Sequence, residues 1–97
     1  MPFSGPADQS NTAAIERELV RLESQLEQFY SLTAAMARRE PDMAKTAELW
    51  AQLVKMCDMF AGRTFQLAQE HSLTTSTYDS ILEIRSAAEE LRALHSQ

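Results

Sequence analysis

Ile15, Leu19, Leu22, Leu26, Phe29, Thr33 and Met36 recur at alternating spacings of four and three. That is the repeat of one narrow face of an α-helix. A strand cannot place residues so spaced on one side, because its side chains alternate with a period of two. The chain around this stripe also lacks the residues that interrupt helices. Of 97 residues only 2 are Gly and 3 are Pro, against roughly 7% and 5% in average proteins. Ala, Leu and Glu dominate, and these lose little or no rotamer freedom on entering a helix. The chain is therefore expected to be all-α, with few and long elements.

Helix 1 is predicted over about 13–39, ending where Pro41 disfavours helical geometry at Glu40. A short connection, Pro41-Asp42, leads to helix 2 over about 42–71. This helix carries two neighbouring apolar stripes. One is Leu49, Leu53, Met56, Phe60 and Leu67; the other, richer in small residues, runs through Met43, Ala47, Trp50, Val54, Cys57, Ala61, Thr64 and Ala68. A helix with one neighbour needs one stripe, so two imply two neighbours. Gly62 either breaks helix 2, giving a four-segment bundle, or is tolerated where another helix passes closely. After the polar run Ser72 to Thr77, Ser76 and Asp79 have the spacing of a capping box. Helix 3 is predicted over about 77–95, with Ile81, Ile84, Ala88 and Leu91 inward. Residues 1–11, with two prolines and a glycine, read as a flexible tail. Residues 12–97 then form one domain, an antiparallel hairpin of two long helices with a shorter third: a three-helix bundle.

If helices 1 and 2 fold back about residue 41, Thr33 meets Leu49, Phe29 meets Leu53, Leu26 meets Met56, Leu22 meets Phe60 and Ile15 meets Leu67; Leu19 falls opposite Arg63. A second turn near residue 74 sets Ile81 against Leu67, Ile84 against Thr64, Leu91 against Cys57 and Leu94 against Val54. At about 1.5 Å per residue, helix 2 is about 45 Å long and helix 3 only about 28 Å. On that register helix 3 leaves the far end of the hairpin uncovered. The residues there are Tyr30, Leu32, Met36, Met43, Ala47 and Trp50, a composition enriched at interface cores. The expected function is that of a non-catalytic interaction module (adaptor, small chaperone or regulatory subunit) binding a protein partner or a second copy through this tip. Glu18 and Glu23 border the helix 1 seam and would face their counterparts in a parallel pair, so a homodimer is expected to be antiparallel.

Other function classes find little support. The net charge is −5 and the only adjacent basic pair is Arg38-Arg39, so phosphate neutralisation, and with it nucleic-acid binding, is not expected. No run of about 18 apolar residues is present and no basic segment precedes an apolar one, so a soluble, cytoplasmic protein without membrane contact is expected. A single cysteine, Cys57, forms no internal disulfide and reads as a packed, reduced thiol. His71 and His95 lie in different helices without metal-ligand spacing, and no Gly-rich phosphate loop occurs, so neither metal nor cofactor is expected. The rival reading is a small helical enzyme with a polar site between helices or across a dimer, using Arg63, Arg85 and Lys45. In its order of one long and two shorter helices the chain resembles the all-helical chorismate mutases. That resemblance implies a dicarboxylate held by basic side chains within the bundle, whereas here the inward stripe of helix 1 carries no Arg or Lys.

Overall fold

The computed structural model describes residues 5–96, with side chains from Thr12 onward. It is all-α: α1 (Gly5–Arg39), α2 (Met43–Glu70) and α3 (Thr77–His95) pack as a three-helix bundle. The bundle is elongated, 64 × 19 × 15 Å with a radius of gyration of 17.0 Å, where a compact chain of this length would have about 13 Å.

α1 begins eight residues before the expected start. Pro6 is compatible with this because a first helical turn needs no N–H from it. The backbone of 5–11 is thus helical rather than irregular, and the part of the expected tail formed by 1–4 lies outside the described residues. α1 stops at Arg39, and Asp42 starts the next helix. Its extended backbone lets Oδ1 accept from the N–H groups of Ala44 and Lys45, at 2.8 and 3.3 Å, which satisfies donors that have no partner within the helix.

α2 is continuous through Gly62. Neither reason considered for that glycine holds: the helix does not break, and among the described residues nothing lies within 4 Å of a Cβ built there.

The turn into α3 corrects the expected register. Ser72 adopts a left-handed φ of 52°. The N–H of Leu73 donates to Ala68 O (2.8 Å) and that of Ser72 to Gln69 O (3.3 Å). This is a Schellman closure with serine where glycine is usual, and Leu73 folds back beside Leu67. Across the seam that follows, Phe65 stacks with Tyr78 at 6.1 Å and Asp58 pairs with Arg85 at 2.5 Å. Both pairs are centred between His71 and Ser72, not on residue 74. Every residue of α3 therefore sits about five positions, roughly 7 Å, further along α2 than expected. The expected Ser76–Asp79 capping box does not form either; instead Thr75 Oγ1 accepts from the N–H of Thr77 at 3.1 Å.

The core has two parts. Leu26, Trp50, Leu53, Val54, Cys57, Ala61, Ile81 and Ala88 form the larger one. Leu19, Leu22 and Leu67 form the smaller one beside the α2–α3 turn, with Phe60 touching both. Leu19, expected opposite Arg63, is instead buried in this smaller cluster, where Leu67 and Leu73 also pack, while Arg63 is exposed. The closest helix pair is α2 with α3, not the α1–α2 hairpin. Small buried side chains along that seam (Cys57, Ala61, Thr64, Ala88) set the short separation.

Candidate interaction surface

The structure divides the six residues expected at an open tip. Trp50 is 3% exposed and belongs to the core, so the expectation that it lies uncovered is corrected. The register explains why: shifted five residues along α2, the C-terminal half of α3 reaches the Trp50 level, and Leu91 packs against the same cluster. Tyr30 is half-buried and stacks on Trp50, with ring centroids 5.5 Å apart. Ala47 is half-buried. Leu32, Met36 and Met43 are exposed, at 59%, 50% and 53%, but not all on one side.

Helical phase, anchored by contacts, separates them. Phe29 meets Phe60 edge to face at 6.5 Å, so the α1 flank carrying Phe29 faces α2. Tyr30 and Glu27, about 100° or more round the helix, line a cleft with Glu83, Ile84 and Ala87 of α3. Leu32 and Met36 stand three and seven residues on from Phe29 and share its flank. On α2, Phe60 defines the matching flank, with Leu49 and Met56 half-buried beside it and Met59 exposed. Met43 turns instead toward the side of α2 that α3 occupies. The open surface is thus a strip along the α1–α2 seam on the side away from α3, containing Phe29, Leu32, Met36, Leu49, Met56 and Phe60. Four of these six, Phe29, Leu49, Met56 and Phe60, are expected from the sequence inside the hairpin; the signal for exposure is Leu32, an apolar residue beside the main stripe three residues on from Phe29 and four before Met36.

This chain matches no family model, no curated protein and no solved structure with which it was compared.

Charge is distributed unevenly around the bundle. The cleft of about 350 Å³ between α1 and α3 is bordered by Glu27 and Glu83, and Glu16 and Glu23 line another beside the α2–α3 turn. Two ion pairs form among the described residues, Arg85 with Asp58 and Arg92 with Glu89; both are solvent-exposed, where such pairs contribute little. The Asp58 hydrogen bond and charge hold the Arg85 proton more firmly than usual. Of the three cations considered for a catalytic site, Arg85 is thus engaged on the α2–α3 seam, whereas Lys45 and Arg63 lie on the opposite flank of α2, about 27 Å apart. The structure does not bring them together.

Cys57 is fully buried, and burial, reinforced by the neighbouring Asp58 charge, pushes its thiol up to about 11. Such a thiol stays protonated and unreactive near neutrality. Thr64 Oγ1 is buried with no hydrogen-bond partner among the described residues. Among them, no three His, Cys, Asp or Glu cluster as metal ligands, and no helix is long and apolar enough to cross a membrane.

Proposed function

We propose that the protein is a non-catalytic helical interaction module, an adaptor, small chaperone or regulatory subunit, that binds another chain along the α1–α2 strip. The supporting observation is the strip itself. Leu32 and Met36 are half or more exposed on a rigid helix beside Phe29, and Leu49, Met56 and Phe60 lie recessed next to them. Contiguous apolar surface of this kind costs solvation until something covers it. Two antiparallel helices with an apolar seam suit a third helix laid between them. On this reading the protein acts in the cytoplasm, its one cysteine needing no disulfide partner.

Compared with the tip expected from sequence, the proposed contact residues shift from Trp50 and Tyr30 to Leu32, Met36 and their neighbours. A photo-crosslinking residue at Leu32, with one at exposed Gln69 as control, tests the reading in cells. A discrete adduct at position 32 that is absent at 69 is expected, and its mass tells a protein partner from a second copy. Equal, diffuse labelling at both positions would overturn the proposal.

A further inference from the structure

The strip is framed by four cations. Arg21 and Arg39 are eighteen residues apart on α1, and Lys45 and Arg63 are eighteen apart on α2. Eighteen residues make five turns of about 3.6, so each pair lies on one line along its helix, with ends roughly 27 Å apart. Leu32 and Met56 stand eleven residues on from Arg21 and Lys45, about three turns, which runs both lines through the open apolar flank. Because α1 ends at Arg39 and α2 starts at Met43, the antiparallel hairpin puts Arg39 and Lys45 at its turn end and Arg21 and Arg63 at a common level about five turns away. All four are exposed, and none lies within 4.0 Å of a carboxylate among the described residues. Glu40 and Glu48 share a small cleft with Lys45 at the turn. Otherwise, within this frame, Glu23 lies on the α3 side of α1, Glu27 borders both the α3 cleft and a shallow groove that Leu32 closes, and Asp58 is paired with Arg85. In a chain of net charge −5, the strip is thus bordered by four exposed cations that form no ion pair among the described residues, with Glu40 and Glu48 beside those at the turn.

We infer that the occupant of this face is an amphipathic helix of another protein, with carboxylates about five turns apart bordering its apolar side. This rests on the interaction-module reading and adds the partner's chemistry. Helices laid along each other cross at small angles, so acids at that spacing reach both cation pairs while the residues between them bury against Phe29, Leu32, Met36 and Met56. Opposite charges at the rim steer the encounter and fix the register. A second copy fits poorly. A two-fold axis along the helices sets the Arg21–Arg63 pair against the same pair of the second copy, and one across the helices sets it against the Arg39–Lys45 pair, so cations meet cations either way. An anionic membrane fits poorly as well, because Leu49, Met56 and Phe60 are recessed rather than projecting and the chain as a whole is acidic.

The probe is a synthetic helical peptide of about 22 residues with a leucine stripe and a Glu pair five turns apart, compared with the same peptide carrying Lys at both positions. Binding is followed by anisotropy and by the methionine methyl signals of Met36 and Met56. The Glu peptide is expected to shift both signals and to bind about tenfold or more tightly than the Lys peptide, the gap closing as salt is raised. Arg21→Glu with Arg63→Glu, folded by circular dichroism, should transfer preference to a peptide with Lys at one end only. Equal binding of the two peptides would overturn the acidic-helix assignment while leaving the interaction module standing. No peptide shifting these methyls would overturn it too, and the position-32 crosslink then decides the module separately. Concentration-dependent methyl shifts with sedimentation as a dimer would give the face to a second copy. Co-sedimentation with vesicles of phosphatidylserine and phosphatidylcholine would give it to a membrane.

Discussion

The two long seams of this bundle are built differently from the same helix. Toward α3, α2 presents Cys57, Ala61 and Thr64 against Ile81 and Ala88, all buried, and the backbones approach closely. Toward α1, it presents Leu49, Met56 and Phe60, which remain half-buried, and Phe29 meets Phe60 only edge on. Small side chains close a seam completely; large ones hold two helices apart and leave their own flanks in water. A residue therefore has to be read by the seam it serves rather than by its hydrophobicity. Trp50 and Leu32 were equal candidates for a contact surface by composition, yet one is core and the other surface.

The largest test of that difference pairs Trp50→Ala with Leu32→Gln. Losing a buried tryptophan should destabilise by about 3–5 kcal/mol, whereas the exposed change should stay within about 0.5 kcal/mol, both read from urea unfolding. Similar losses for the two would mean that the α1–α2 flank is already covered. The Trp50 emission should also be blue-shifted and shielded from quenchers in the monomer.

Next in size is the pH dependence of the tight seam. The Cys57 thiol is raised in the folded state from 9.0 to about 11, so between those values the native chain binds more protons than the unfolded one. Its stabilising contribution is intact below pH 9 and lost as pH rises through 11, about 2–3 kcal/mol in all. Stability of the native chain compared with Cys57→Ala across pH 8 to 11 reads this difference; parallel curves would show that the thiol's surroundings hydrate easily.

The fold was legible because helical periodicity is local. The spacing from Ile15 to Met36 and the Pro41-Asp42 break determine α1 from residue 13 onward, the hairpin turn and the start of α2 with no knowledge of tertiary structure, whereas the first eight residues of α1 carry no such stripe. The register of α3 was not legible, since it depends on which residue of Ser72-Leu73-Thr74-Thr75 takes the left-handed turn. Glycine would have marked that residue, and serine does not. Five residues of register then decided whether Trp50 was covered. The eighteen-residue spacings of Arg21–Arg39 and Lys45–Arg63 were visible in the sequence, but the seam they border became apparent only once Phe29 and Phe60 were seen to meet.

Overpacking separates the seams at smaller cost. Ala61→Leu, at a position 7% exposed between α2 and α3, should destabilise by about 1–3 kcal/mol. Met56→Leu conserves volume beside open space and should cost less than about 1 kcal/mol. Thermal midpoints of the two variants check this, and an Ala61→Leu chain as stable as the parent would mean that the close approach of α2 and α3 relaxes freely.

The smallest effect concerns Gly62, on the side of α2 that faces neither seam. With nothing within 4 Å of an added Cβ and no positive φ, Gly62→Ala removes the excess entropy cost of glycine in a helix interior and adds no clash. A gain of about 0.5–1 kcal/mol is expected. The measurement also reports on a third face of the helix, since a partner or second copy packed against the glycine would meet the new methyl group first. Stability that rises in the isolated chain while crosslinking at position 32 is unchanged would confine binding to the α1–α2 strip. A gain in stability accompanied by loss of the adduct would extend the contact round α2 to Gly62.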